Sequence, residues 1–292
     1  KKGYSQYKGY DKSKFKKKNF RTRSMKKIND LENLAKKYRR ELFEKLLIIK
    51  QGHMGSIFSM MEIIVALYHC GFVKFDEKKK FFSDKVLISK GHAAAALYPI
   101  LRDFGVLPEK EWNNWGHTKS LLRVFTNNSI PGIDVTSGSL GHCIGVGAGM
   151  AISFKRTGKK NRVFVIISEG ELYEGSIWEA LLFAKHHKLD NLTIIIDINS
   201  LIILGKTSEC LNLDPIKDKI TGLGIRTLEV DGHNLNDLIS TFETSKKLGE
   251  INCILAKTVK GKGCKLMENE KRWHYYNLMS EDEIKQARKE LA

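Results

Sequence analysis

The chain has 292 residues, 42% of them hydrophobic, and a net charge of +17; this suits one large domain, or a domain with an appendage, built around an ordinary apolar core. The charge is concentrated: residues 1–27 hold twelve Lys or Arg and a single acid, so that segment carries +11 and the remaining 265 residues only +6, which removes a basic folded body as an argument for nucleic-acid binding. Five cysteines (70, 143, 210, 253 and 264) form no C-x-x-C pair, and the apolar run from Leu192 to Leu204 is interrupted by Asp197 and Asn199, so a disulfide framework, a zinc site and a membrane-spanning helix are not expected.

Residues 1–24 are rich in Lys, Gly, Tyr and Ser and poor in aliphatics. Such a segment cannot bury enough apolar surface to offset its ordering entropy. A flexible basic N-terminal arm over 1–24 is expected, followed by one domain over 25–292. Tyrosines interleave its lysines, as in some single-strand binders, but nucleic acid is not expected as a partner. No apolar stretch follows the basic start to make a secretory signal, and the unpaired cysteines suit a reducing cytoplasm.

From Met25 the pattern turns helical. Ile28, Leu31, Leu34, Ala35, Tyr38, Leu42 and Leu46 recur at spacings of three and four. A second helical pattern runs from Ser59 to Tyr68, then a short strand from Lys85 to Ser89, then a helix from Ala93 to Phe104. Residues 106–136 have little periodicity. The second half alternates strand and helix: strands at 163–167, 192–196, 227–230 and 252–256, helices at 177–187 and 235–248. Apolar strands without alternation, separated by helices, indicate an α/β fold with a parallel sheet covered by helices on both faces.

The stretch from Ser168 to Leu201 carries the chemistry. A strand ends in Ser168-Glu-Gly-Glu-Leu-Tyr-Glu-Gly175, and the next ends in Asp197-Ile-Asn199. Ligands of open parallel sheets sit outside the carboxyl ends of strands, so Glu169 and Asn199 should share one edge. Their carboxylate and amide oxygens suit a hard cation such as magnesium, which completes its octahedron with phosphate oxygens and water. Gly170 lets backbone approach a ligand closely. An acidic helix start, with Glu171 and Glu174 favouring the helix dipole, explains the same residues without a ligand.

Taken whole, the run Ser168 to Ala180, with Lys188-Leu-Asp-Asn-Leu192 and Asp197-Ile-Asn199, resembles transketolase, and more narrowly the N-terminal subunit of split transketolases. The family's thiamine-diphosphate signature opens Gly-Asp-Gly and closes with Asn about thirty residues later. Further motifs follow the family's order: Gly52-His-Met-Gly-Ser56, Ser89-Lys-Gly-His-Ala-Ala94, Pro131 to His142, Val230-Asp-Gly-His233, and Lys257-Thr-Val-Lys-Gly-Lys-Gly263 with Trp273-His274.

The resemblance implies a thiamine-diphosphate-binding fold and assigns residues. Glu169, the Asn199 side chain and the Leu201 carbonyl would hold Mg2+. Gly138 and Gly170 backbone and His92 would contact the diphosphate, with Leu140 packed near the cofactor. His53 and His274 would line the donor pocket. Glu174 and Glu179 resemble glutamates that couple two cofactor sites across an interface. The family also needs a glutamate against the cofactor's aminopyrimidine ring, supplied by a pyrimidine-binding domain. The resemblance therefore implies a separate C-terminal transketolase-like partner subunit in an α2β2 assembly acting on sugar or sugar-phosphate substrates.

Two departures stand out. Ser168-Glu169 replaces the family's Gly-Asp, and because magnesium tolerates distortion poorly, Ca2+ or Mn2+ are alternatives. Val124 or Phe125 stands near where the family has the histidine of Gly-His-Pro. The expected activity is transfer of a two-carbon ketol unit from a ketose donor to an aldose. A transfer of an acyl unit from an α-keto acid such as pyruvate, in specialised sugar biosynthesis, is the second reading, and a non-catalytic scaffold the third.

Overall fold

The computed structural model describes residues 27–247 and 249–292; the expected arm over 1–24, with Met25 and Lys26, lies outside them. Helix α1 (Ile28–Ile49) buries Leu31, Leu34, Ala35, Tyr38, Leu42 and Leu46, the stripe that its periodicity predicts. The pattern around Ser59–Tyr68 resolves into two helices, α2 (Met54–Ser59) and α3 (Met61–His69), broken at Met60. Both are buried on every side, so no polar face marks the break. A hairpin of β1 (Phe75–Asp76) and β2 (Phe81–Phe82) leads into β3 (Lys85–Ile88). The helix expected over 93–104 begins instead as a 3-10 segment, Gly91–Leu97, and becomes α4 (Tyr98–Asp103). Pro99 lacks the N–H that would continue an α-helical ladder back into the alanines. Then come α5 (Glu109–Asn113), inside the stretch expected to be irregular, and α6 (His142–Arg156).

The remaining elements are β4 (Val163–Ser168), α7 (Gly175–His186), β5 (Leu192–Ile198), α8 (Thr207–Cys210), α9 (Ile216–Gly222), β6 (Arg226–Asp231), α10 (Leu235–Lys247), β7 (Asn252–Lys257) and α11 (Glu281–Glu290). Strands β3-β4-β5-β7-β6 form one parallel sheet in that order. Alternate side chains serve opposite layers. Phe164, Ile166, Ile195 and Ile254 join the core built with α1, α3 and α10. Val163, Val165, Ile167, Ile194, Ile196 and Cys253 join the core built with α6, α7 and α9. The strands carry no alternation in sequence because both faces are covered. Among the described residues no helix is long and apolar enough to cross a membrane.

Helix α6 escapes the periodicity argument because it contains Gly145, Gly147 and Gly149, and glycine disfavours a helix interior. At Gly147 the reason is packing: a Cβ there would lie 2.5 Å from Val165 Cγ2, so glycine brings α6 close onto β4. Gly149 has nothing within 4 Å of the same position. Gly147→Ala should therefore lower the unfolding free energy by about 1–3 kcal/mol through overpacking, whereas Gly149→Ala should raise it by up to about 1 kcal/mol. Urea unfolding of the two variants, compared at constant m-value, checks the contrast.

Candidate active site

Four adjacent strands end on one edge of the sheet and deliver the site. Lys90 and His92 follow β3, Glu169 and Gly170 follow β4, Asn199 to Leu201 follow β5, and Lys260 follows β7. The register puts Ser168 beside Asp197 and Ile198 beside Lys257. Glu169 and Asn199 thus lie at the same edge, as their positions in the βαβ unit predict.

Beneath the edge lies a buried ion pair. Lys90 Nζ donates to Asp197 Oδ2, with both side chains wholly inaccessible. Lys90 also donates to the Ser56 carbonyl at 3.0 Å. Asp197 accepts from Ser59 Oγ at 2.6 Å and from Thr258 Oγ1. Burial alone would raise the Asp197 pKa, but the Lys90 ammonium and these hydroxyls hold it below the usual carboxylate range. The pair joins the ends of β3, β5 and β7 to α2.

The Asp197 carboxylate also orients the amide of Asn199 next to it. Asn199 Nδ2 donates to Asp197 Oδ2 at 3.3 Å. A carboxylate only accepts, so the Asn199 amide oxygen must face the other way. That oxygen accepts from Leu201 N at 3.3 Å, across a turn in which Ser200 has φ 59°. Glu169 reaches the same turn: its Oε2 accepts from Ser200 N at 2.8 Å, and its Oε1 from Thr207 Oγ1. The side chain longer than aspartate is thus used, tying the end of β4 to the start of α8. Glu169 and Asn199 are 8% and 6% exposed. Among the described residues no group of three His, Cys, Asp or Glu side chains is placed to hold a metal alone. The donor set is one carboxylate with amide and carbonyl oxygens, which fits a magnesium ion that takes its other ligands from phosphate and water.

Gly170 sits where its missing side chain leaves room for Ile202, whose Cγ2 would be 2.4 Å from a Cβ. Gly138 is brought beside the end of β3, because its N would be only 2.6 Å from a Cβ on Gly91. Glu171 fixes this glycine-rich loop from below. Its carboxylate accepts from Gly141 N at 2.8 Å, from Ser89 Oγ, and from Ser168 N at 3.3 Å. Leu140 is 37% exposed at the mouth of the same loop. Glu174 precedes α7 and lies beside Gly141, and Glu179 is exposed on α7.

The three predicted histidines, from three distant motifs, converge. Ring centroids are 4.8 Å apart for His53 and His92, 5.6 Å for His53 and His274, and 6.1 Å for His92 and His274. Phe125 and Tyr275 stand edge-on to His53 at 6.0 and 4.9 Å. Of the two residues expected near the family's missing histidine, Phe125 is thus the one beside His53. His117 is exposed on the preceding loop. Among the described residues, Nδ1 of His53 and of His274 is buried without a hydrogen-bond partner, as for groups that await a ligand.

Lys260 is a site residue that sequence reasoning passed over, although its motif was recognised. It is 2% exposed. Its Nζ donates to Ser56 Oγ at 3.3 Å and to the Leu201 carbonyl at 3.4 Å. Among the described residues it makes no ion pair with a carboxylate. Burial, followed by repulsion from Lys90, lowers its pKa to about 8. Burial first, and then the Lys260 charge, lowers His53 to about 4 and His274 to about 3. Burial and the His53 ring put His92 well below the usual imidazole value. The rings are neutral at pH 7.

A base whose folded pKa is depressed takes up protons more readily when unfolded. The stabilising contribution of His53 and His274 is therefore complete above the ordinary value of 6.5 and is lost as pH falls through about 4. Replacing both with glutamine should make the acid limb of stability shallower between those limits. Urea midpoints measured at half-unit pH steps check it.

Fold and site define an α/β domain whose polar and histidine side chains gather where parallel strands end. Residues 32–292 match the family model described as transketolase, thiamine diphosphate binding domain. The chain is 36% identical over 253 residues to an apulose-4-phosphate transketolase subunit of Phocaeicola vulgatus, covering 85% of this chain and 89% of that protein. It is 33% identical over 256 residues to the 6-deoxy-6-sulfo-D-fructose transketolase subunit SqwG of a Clostridium species, covering 86% and 93%. Among solved structures, the transketolase of Campylobacter jejuni superposes with a TM-score of 0.82 at 25% identity, covering 91% of this chain and 43% of that one. The chain belongs to the transketolase family and carries its thiamine-diphosphate-binding domain.

Proposed function

We propose that this chain is the thiamine-diphosphate-binding subunit of a split transketolase, transferring a two-carbon ketol unit from a ketose or ketose-phosphate donor to an aldose acceptor. Lys260 carries the reading. A buried ammonium without a carboxylate partner is costly, and an anionic diphosphate bound across the strand ends offsets that cost. The relatives named as transketolase subunits support a second polypeptide, here a C-terminal transketolase-like chain with the pyrimidine-binding site. An α2β2 assembly is supported by the exposed apolar residues Val146 on α6 and Leu182 and Phe183 on α7, the helix that also bears Glu179. Five unpaired thiols support a cytoplasmic location.

When bound, thiamine diphosphate supplies the carbon nucleophile for the reaction. Glu169, Asn199 Oδ1 and the Leu201 carbonyl would hold Mg2+, with Ca2+ and Mn2+ as competitors. Lys260, His92 and the Gly138 and Gly170 backbone would hold the diphosphate, and Leu140 would pack against the cofactor. His53 and His274, neutral and with an unpaired Nδ1 each, hydrogen-bond to the oxygens of the donor and move protons there. Phe125 and Tyr275 wall that pocket with apolar edges. With the partner subunit present, the complex should turn over a ketose phosphate such as xylulose 5-phosphate with an aldose acceptor. Turnover of pyruvate without turnover of any ketose would contradict the reading.

Lys260→Met should weaken thiamine diphosphate binding roughly ten- to hundredfold, the worth of one charge-assisted contact. The pH dependence has a definite sign. A bound anion favours the ammonium, so it raises the Lys260 pKa from about 8 in the free site. Affinity should be level below that pH and fall above it, with a proton taken up on binding. Calorimetry in buffers of different ionisation enthalpy reads both the affinity and the proton, and Lys260→Met should abolish the uptake.

A further inference from the structure

The motif Val230-Asp-Gly-His233 has no role in the reading above, yet its histidine lies within a closed chain of contacts that ends at the site. Arg39 of α1 grips Glu62 of α3 with two contacts, Nη1 to Oε1 at 2.6 Å and Nη2 to Oε2 at 2.5 Å. Glu62 Oε2 lies 2.9 Å from His233 Nδ1. On the other side of the ring, His233 Nε2 accepts from Val259 N at 2.8 Å. The three side chains are 4%, 10% and 12% exposed.

These contacts determine the tautomer. Nε2 faces an N–H donor and must be unprotonated, so the proton resides on Nδ1 and is donated to the carboxylate. Arg39 and Glu62 cancel in charge, and the ring joins them as a neutral spacer. Val259 immediately precedes Lys260. On the far side of Lys260, Gly261 N donates to the Gly55 carbonyl at 3.0 Å. The lysine is therefore pinned before and after, and its stem runs over Gly55, where a Cβ would lie 3.0 Å from Lys260 Cγ. The loop that bears His233 is pressed onto the same segment. Gly232 N donates to the Lys257 carbonyl at 2.7 Å, and a Cβ on Gly232 would lie 2.4 Å from Thr258 Cγ2.

We propose that His233 is a positioning residue for Lys260: held by Glu62 and Arg39, it fixes the Val259 N–H and so sets where the buried ammonium meets the anionic group of the cofactor. This rests on the proposed function, which makes Lys260 a diphosphate ligand. Removing the ring orphans the Val259 N–H and frees one side of the segment, without touching the histidines of the donor pocket.

The test is a double-mutant cycle on the complex with its partner subunit, with thiamine diphosphate and magnesium as the probe. His233→Ala should weaken cofactor binding by about tenfold, the worth of one hydrogen bond, while kcat at saturating cofactor stays within about twofold. His233→Gln, whose amide can both accept from Val259 and donate to Glu62, should recover most of the affinity. In the Lys260→Met background, His233→Ala should cause no further loss, because the group that it positions is gone. Additive losses, or unchanged cofactor affinity in His233→Ala, would overturn the proposal while leaving the cofactor assignment intact. Wild-type complex that binds no thiamine diphosphate would overturn both.

Discussion

The Lys90–Asp197 pair is the constraint on which the site depends. Withdrawing two charges from water costs several kcal/mol each, and the penalty is offset only when geometry and extra hydrogen bonds satisfy both groups. Here Asp197 has Ser59, Thr258 and Asn199 as further partners, and Lys90 has the Ser56 carbonyl. Three of those four partners carry, or adjoin, something the site uses. Asn199 has its amide oxygen turned away from the carboxylate, Thr258 begins the segment that leads to Lys260, and Ser56 meets both lysines. One buried bond therefore holds strand ends and a helix in a common geometry. Losing one partner of such a pair costs about 3–5 kcal/mol, and here it would also release the elements that carry the ligands.

A second consequence concerns Lys260. Lys90 spends its charge on Asp197, so among the described residues the neighbouring Lys260 is a buried cation with polar oxygen partners but no carboxylate ion pair. That charge lies near the oxygens of Glu169, Asn199 and Leu201, an arrangement that supports the proposed binding of an anion and a hard cation together. The departure from the family's Gly-Asp fits the same geometry: Glu169 spans to both Ser200 and Thr207. Phe125, edge-on to His53, puts an apolar ring near where the resemblance to transketolases leads one to expect a histidine.

Much of this was legible in the residues. The buried strands β4, β5 and β7 read clearly because Val and Ile runs covered on both faces have no competing interpretation, and their order brought Glu169 and Asn199 together. The convergence of His53, His92 and His274 came from motif resemblance, since no spacing rule joins residues so far apart. Helix α6 was hidden by glycines placed for close packing, and the α2–α3 break by burial on all sides. Lys260 went unassigned because a lysine in a Lys-Gly-Lys stretch looks solvated; its burial is set by Ser56 and Leu201, remote in the chain. His233 stands in a motif to which the resemblance assigns no role here, and its contacts with Glu62 and Val259 exist only once α3, β6 and β7 are assembled.

The account's central claim is that binding is anchored through the diphosphate at a cation-assisted site, and the most direct measurement compares thiamine diphosphate with thiamine. Calorimetric titration of the assembled complex, with and without magnesium, should give saturable binding only for the diphosphate and only with the divalent ion present. Equal affinity for thiamine, or diphosphate binding that is indifferent to the metal, would contradict it.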